Sequence, residues 1–307
     1  MRRNPLVPVA LALMAGIVAC HWTELPLEAW LLLVAYGYEK DPLYFRTPLL
    51  LSGVLLSCGN HQSGNGKGAG DFKFESIVID TMVNLTNAAN TPKAEIHLNI
   101  LYVPEEEGAT LNDSLLRTGI LSPDYMALAK HPLNVPEAVD SFVIHYANDY
   151  RRDYGRLYNQ DREHGSSYQV QYTCNTFIKP GNDQITNYVA EVYYYGGGEH
   201  GQQLTIVKHF NPTNGHMVRP SELFVSGYES TLTDMIVERL CKENGVSDLK
   251  ELKKNNIMMG IDPYVPDNFL VEGKTYTFIY NESEIAPHAK GEIRITFNES
   301  ELKDILK

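Results

Sequence analysis

Tyrosine, carboxylate and imidazole side chains are concentrated in one segment of the sequence, residues 188–218. Its first part, YVAEVYYY, alternates in the way a half-buried strand does. The predicted core face holds Tyr188, Ala190, Val192 and Tyr194. The opposite face then holds Glu191, Tyr193 and Tyr195. Tyrosine rings beside a carboxylate suit sugar stacking with hydrogen bonding, or an anchor in a protein interface. These three residues are therefore candidate ligand-binding residues.

A glycine-rich turn follows this strand. Gly197, Gly198 and Gly201 permit a turn with positive φ, which would place Glu199 and His200 at its tip. We include all five residues in the candidate ligand-binding set. Two alternatives remain open: a tight hairpin turn whose histidine caps backbone groups, and a hydrolase of envelope polysaccharide or peptidoglycan that uses Glu199 and His200 as an acid/base pair.

Motifs of known catalytic sites are absent from the sequence. It contains no HExxH, P-loop, GxSxG or phosphate-cradling GxGxxG pattern. His200, His209 and His216 are close enough in sequence to meet on adjacent strands as metal ligands, but unconstrained surface histidines are far more common. We expect no catalytic residues, no cofactor and no metal, and a function in binding rather than catalysis.

The net charge restricts the choice of partners. The chain has 307 residues and a net charge of −12. Residues 1–57 carry four basic and four acidic residues, so the whole excess lies on residues 58–307. Nucleic acid is excluded as an expected partner because phosphate binding needs a basic footprint. An acidic surface attracts a cationic protein, although it also serves simply to keep a domain soluble.

Cys58 is the predicted site of lipid attachment. Residues 49–56 form a short apolar run preceded by Arg46, and Leu55-Leu56-Ser57-Cys58 matches a bacterial lipobox. The run is too short to span a bilayer, which takes about 20 residues, and suits a cleaved signal segment. Residues 1–57 are thus a predicted leader, and the Gly/Ser/Asn-rich residues 58–70 a flexible tether. We expect a lipid-anchored protein of the cell envelope.

A second cysteine offers a competing lipid site. Ile17-Val18-Ala19-Cys20 also fits a lipobox, but the residues behind Cys20 are neither a tether nor a domain start. The apolar run lies nearly fifty residues from Met1, which leaves two interpretations. Either translation starts further along the chain, or residues 1–40 are a separate membrane-inserting stretch.

The body of the chain is predicted to be α+β, an antiparallel sheet with packed helices in two subdomains, residues 71–165 and 166–307. Strand patterns are interrupted by an amphipathic helix that opens with a capping box at Asn134 and carries a tyrosine-rich stripe, which we interpret as core. A second helix covers 229–244, with Gly245 after its end, and a third begins at Ser247. Two strands and a short helix end the chain. Cys174 and Cys241 are expected to be buried thiols rather than a disulfide.

Several short motifs in order resemble a known bacterial domain of unknown function. Gly197-Gly198-Glu199-His200-Gly201 is similar to its G-G-A-H-G turn, residues 211–224 to its strand-turn element, and residues 269–302 to its closing signature. This domain forms the extracytoplasmic part of the lysozyme-sensing anti-sigma factor RsiV and precedes the catalytic domain of the peptidoglycan deacetylase PdaC. Glu199, Ser283 and His288 depart from the usual pattern.

The resemblance implies a Bacteroides-like lipoprotein that binds a cell-envelope ligand without catalysis. The implied partner is either a cationic, lysozyme-like protein or a peptidoglycan or other glycan. The deacetylase activity of PdaC does not transfer, because the paired acidic and histidine motifs of its metal site are missing here.

Overall fold

A computed structural model describes residues 72–88, 90–104, 108–129 and 131–307. The predicted leader (1–57), the lipid site Cys58 and the tether (58–70) lie outside these residues. Within the described ranges, no helix is long and apolar enough to cross a membrane. The fold is α+β, as predicted.

Six strands form the larger sheet, in the order β1-β2-β3-β4-β5-β6. Their bounds are β1 Glu75–Asn84, β2 Lys93–Tyr102, β3 Val170–Asn182, β4 Ile185–Tyr195, β5 Gln202–Phe210 and β6 Met217–Val218. All neighbours are antiparallel except β2 and β3, which are parallel. The parallel pair departs from the expected antiparallel sheet. Parallel neighbours need a long crossover connection, and a series of helical segments provides it between β2 and β3.

The crossover consists of several helical segments. They are α1 Ala109–Leu115 with a π turn at Leu116–Ile120, a 3₁₀ turn Tyr125–Leu128, α2 Val135–Gln160 and a 3₁₀ turn Gly165–Tyr168. The predicted capping box of α2 is confirmed: the Asn134 side chain accepts from the Glu137 N–H, and the Glu137 carboxylate accepts from the Asn134 N–H. One face of α2 packs on one face of the sheet, against Ile96 and Tyr172 among others. We call this the first core.

The remaining elements form a smaller unit with its own core. They are α3 Pro220–Leu223, α4 Tyr228–Glu243, α5 Leu249–Lys254, β7 Phe269–Glu272, β8 Thr275–Tyr280, a 3₁₀ turn His288–Lys290 and β9 Ile293–Asn298. The strands form an antiparallel sheet, β7-β8-β9. Leu232, Ile236 and Leu240 of α4 are buried in a cluster with Phe269 and Phe278. We call this the second core.

The two sheets meet over β4 and β5. Val189 and Val207 of the larger sheet cluster with Leu270 and Ile279 of the smaller one. Beyond the short β6, the N–H groups at this edge of β5 have no strand partner among the described residues. Side chains replace it: the Val207 N–H donates to Asn268 at 2.8 Å, and the Thr205 N–H to Asn281 at 2.7 Å. These bonds satisfy a sheet edge that would otherwise be open.

The predicted division into residues 71–165 and 166–307 stays a prediction. The larger sheet is continuous across it, because β2 pairs with β3. Two other sequence predictions need adjustment. The N-cap of α5 is Asp248, not Ser247: its carboxylate accepts from the Glu251 N–H. No helix closes the chain among the described residues after 298. Turns and a bridge from Leu306 to Phe224 take its place.

Cys174 and Cys241 are both buried and unpaired, as predicted. Cys174 belongs to the first core and Cys241 to the second, which explains why they do not pair.

Candidate functional site

The predicted strand face is present in β4. Tyr188, Ala190 and Val192 are buried in the first core, which confirms them as the core face. Glu191 is exposed, and Tyr193 and Tyr195 are half-buried, on the opposite face. This face, which we call the outer face, is covered near Val189 by the smaller sheet.

Polar side chains of neighbouring strands surround the three candidates on the outer face. Asn175 lies opposite Glu191, Thr173 opposite Tyr193, and Gln171 opposite Tyr195, on β3. On the next strand, β2, His97 lies opposite Thr173 and Asn99 lies opposite Asn175. Amide, hydroxyl and imidazole groups therefore flank the two tyrosines and the carboxylate on one side of the sheet.

The glycines of the turn have a clear steric role. Gly197 has φ +84°, and a Cβ there would lie 1.9 Å from the Ser167 carbonyl oxygen. A Cβ on Gly201 would lie 2.2 Å from the Tyr193 hydroxyl. The positive φ expected of the turn is thus confirmed at Gly197. Gly198 meets nothing within 4 Å and is not constrained in this way.

The tip of the turn contacts a distant part of the chain. The His200 ring stacks on His288, with centroids 4.8 Å apart and planes 14° apart. His288 Nδ1 lies 3.1 Å from Glu282, whose other carboxylate oxygen accepts from the Gln203 N–H. In the sequence, His288 stands out only as a departure from a motif. No local pattern predicts this contact, because it joins segments more than eighty residues apart.

Glu199 and His200 are poorly placed for acid/base chemistry. Glu199 is 95% exposed and its carboxylate lies 4.0 Å from His200 Nε2. An acid/base pair gains its tuned pKa from burial and close hydrogen bonds, neither of which Glu199 has.

The three histidines considered as metal ligands do not meet. His209 is buried against Phe269, His216 lies 3.0 Å from Glu222, and His200 stacks on His288. Within the part of the chain that the structure describes, no group of three or more His, Cys, Asp and Glu residues is placed to hold a metal.

A second candidate site lies on the other side of β4, where a cleft of about 430 Å³ opens between α2 and the sheet. Its lining is rich in tyrosine and contains two carboxylates. The polar and aromatic lining residues are Ser122, Tyr125, Tyr146, Asp149, Tyr150, Asp153, Tyr154, Tyr172, Tyr194 and Gln202. We call it the tyrosine cleft.

Hydrogen bonds from tyrosine hydroxyls fix the walls of the tyrosine cleft. The Tyr172 hydroxyl donates to the Ile120 carbonyl and accepts from the Ser122 N–H, both at 3.0 Å. The Tyr150 hydroxyl donates to the Tyr168 carbonyl at 2.9 Å. The first two bonds tie the crossover to β3, and the third ties α2 to the 3₁₀ turn that follows it.

Charge in the tyrosine cleft is concentrated on Asp149 and Asp153. The Tyr125 hydroxyl donates to Asp149 at 2.9 Å, and burial together with this bond raises the pKa of Tyr125. Arg152 bridges both carboxylates, at 2.6 Å from Asp149 and 2.8 Å from Asp153, and its hydrogen bond lowers the pKa of Asp153. Burial also raises the pKa of Tyr146.

Sequence reasoning identified the tyrosine stripe of α2 only as core. Burial of Tyr146 and Tyr150 confirms that role, yet both also line the cleft. Tyr194, predicted on the core face, is 41% exposed at the cleft mouth. The available signal was chemical: the stripe uses tyrosine where leucine or phenylalanine would fill a core without a hydroxyl to satisfy.

Comparison with known protein families gives one match. Residues 221–299 match the model of the family DUF3298, which is described as a protein of unknown function. The matched segment covers α4, α5 and the smaller sheet, together with the His288 contact. It shows a domain of unknown function in the C-terminal part, while the resemblance to the RsiV/PdaC-type domain stays a prediction.

Two solved structures of DUF3298 proteins are similar to this chain. One, from Bacteroides fragilis NCTC 9343, has a TM-score of 0.67 and 22% identity, covering 78% of this chain and 96% of the other. Another, from Pseudomonas aeruginosa PAO1, has a TM-score of 0.50 and 14% identity, covering 78% and 97%. No curated protein matches the chain. At these identities the likeness shows the fold alone, which extends well beyond the matched DUF3298 segment.

Proposed function

We propose that the protein is a non-enzymatic, lipid-anchored protein of the bacterial cell envelope that binds glycan, such as peptidoglycan fragments, on its outer face. The observation that carries the proposal is the grouping of Glu191, Tyr193 and Tyr195 with side-chain amides and hydroxyls on one open surface. Aromatic rings cover the apolar faces of sugars, while carboxylates and amides bind their hydroxyls.

The turn at 196–201 contributes the rim of this proposed site. Gly201 allows the Tyr193 ring to lie directly against the turn, which orients the ring. The stacked His200 and His288 rings add two imidazoles beside it. The exposure of Glu199 gives the alternative of an envelope hydrolase no support.

Titration with soluble peptidoglycan fragments tests the glycan site. Tyr193→Ala and Tyr195→Ala should each weaken binding about 5-fold, since an aromatic contact contributes about 1 kcal/mol. Tyr264→Ala is the control, because Tyr264 is a partly exposed tyrosine of the smaller unit, with 37% of its surface exposed. Affinities that fall equally in all three variants, or an absence of binding by the wild-type protein, would contradict the proposal.

A cationic, lysozyme-like protein is the second candidate partner. It is favoured by the carboxylates of Asp80, Glu95 and Glu191 on the outer face and by the net charge of −12. Salt separates the candidates. Capture of a cationic protein should weaken steeply between low and physiological ionic strength, whereas glycan stacking should barely change.

Lipid anchoring at Cys58 is tested by the intact mass of the membrane-extracted protein. A chain that begins at Cys58 and carries two or three acyl chains is expected. An unmodified chain that still carries residues 1–57 would remove both the anchor and the envelope location from the proposal.

A further inference from the structure

The lining of the tyrosine cleft contains two carboxylates and, among the described residues, no cationic side chain. Its lining combines Asp149 and Asp153 with tyrosine ring faces, and no Lys, Arg or His belongs to it among the described residues. Ring faces and phenol oxygens attract cations. A positively charged group is therefore the ligand type that this lining favours.

Arg152 neutralises only part of this charge. Its single guanidinium bridges two carboxylates, and it does not line the cleft. Asp149 is also held by the Tyr125 hydroxyl at 2.9 Å. Two carboxylates and one guanidinium leave one negative charge in excess. The orientation of the Asp149 carboxylate is already fixed by these contacts.

Tyr146 supplies an independent observation. The side chain is 8% exposed, and its ring packs on Phe142 and Tyr172 at centroid distances of 5.4 and 5.6 Å. Tyr150 and Tyr172 bond their hydroxyls to carbonyls, but the Tyr146 hydroxyl has no hydrogen-bond partner in the described ranges and faces the cleft beside Tyr194. This hydroxyl is therefore free to bond a ligand in the cleft.

The rest of the lining suits an alkyl stem. Val170, Val192 and Leu204 line the cleft together with the tyrosine rings. The volume of about 430 Å³ is in the range of small-molecule sites. Apolar walls next to one excess carboxylate match a short aliphatic chain that ends in a charged head.

We propose that the tyrosine cleft binds a primary ammonium group on an aliphatic stem. Asp149 is the counter-ion, the hydroxyls of Tyr146 and Tyr194 are hydrogen-bond acceptors, and the apolar side chains contact the stem. This site is on the opposite side of β4 from the outer face and does not depend on glycan binding.

Calorimetric titration of the full chain with pentylamine and with 1-pentanol tests this proposal. The two probes match in length, so only the charged head differs. We expect saturable binding of pentylamine and none of 1-pentanol. Asp149→Asn should weaken binding about 10- to 100-fold, as loss of a charged hydrogen-bond partner does, and Tyr146→Phe about 5-fold.

Two variants on the same helix are matched controls. Asp140→Asn removes an exposed carboxylate, and Tyr158→Phe removes a hydroxyl outside the cleft. Both should bind pentylamine as the wild type does. Equal binding of 1-pentanol, no binding of pentylamine at about 10 mM, or unchanged affinity in Asp149→Asn and Tyr146→Phe would each overturn the proposal. None of these outcomes bears on peptidoglycan binding.

Discussion

The first and second cores use different aromatic residues. The large buried aromatics of the first are mostly tyrosines: Tyr125, Tyr146, Tyr150, Tyr172 and Tyr188. Those of the second are mostly phenylalanines: Phe224, Phe269, Phe278 and Phe297. Phenylalanine fills space without any polar atom to satisfy, whereas each tyrosine hydroxyl needs a partner. The second core is therefore filled mainly by rings without polar atoms, while the tyrosines of the first also line an open, polar cleft.

The largest expected effect comes from emptying the phenylalanine core. Phe278 is fully buried and contacts the rings of Phe224, Phe269 and Phe297. Phe278→Ala should lower the free energy of unfolding by about 4 kcal/mol through lost burial and a cavity. Urea unfolding measures this loss.

A matched surface variant sharpens this test. Met259 lies nearby in sequence but is 66% exposed, so Met259→Ala should change the free energy of unfolding by less than about 0.5 kcal/mol. Similar losses for the two variants would mean that the second core is not the tightly packed layer described above.

A titratable group at the junction of the sheets gives the next largest effect. Burial lowers the pKa of His209 from 6.5 to about 4, and its buried Nε2 has no hydrogen-bond partner in the part of the chain that the structure describes. Between pH 6.5 and 4 the unfolded chain binds a proton that the folded chain excludes. Stability is therefore full above pH 6.5 and falls by about 3 kcal/mol as the pH decreases towards 4.

Comparison of variants isolates this titration from that of the carboxylates. Urea unfolding of His209→Phe at pH 7 and at pH 4.5 should lack the His209 contribution and show a smaller loss than the wild type. His131→Phe replaces an exposed histidine and should keep the wild-type loss. A loss in His209→Phe as large as in the wild type would show that His209 titrates normally.

The turn between the two candidate sites gives an intermediate effect. Gly197→Ala places a methyl group against the Ser167 carbonyl at a positive φ and should cost about 2 to 3 kcal/mol. Gly198→Ala introduces no contact and should cost under about 1 kcal/mol. Thermal unfolding checks both. Equal losses of stability in Gly197→Ala and Gly198→Ala would show that the turn relaxes freely and does not orient Tyr193.

Local patterns in the sequence predicted most of the elements. The amphipathic pattern of α2, its cap at Asn134 and the alternation of β4 are each set by neighbouring residues. The parallel pairing of β2 with β3 and the stacking of His200 on His288 are not, because they join distant segments. The tyrosine cleft was missed for a related reason. The periodicity of the sequence places Tyr146 on the buried side of α2. It does not show where the sheet that packs against this side ends.

The smallest effects test the difference between the tyrosines themselves. Tyr172→Phe leaves the buried Ile120 carbonyl and Ser122 N–H without their bonds and should cost about 1 to 2 kcal/mol. Tyr146→Phe removes a hydroxyl that has no partner among the described residues and should leave stability within about 0.5 kcal/mol. Urea unfolding of the two variants measures both. A hydroxyl that contributes nothing to folding is available to a ligand. If Tyr146→Phe were as destabilising as Tyr172→Phe, its hydroxyl would already be satisfied, and the first core would differ from the second only in composition.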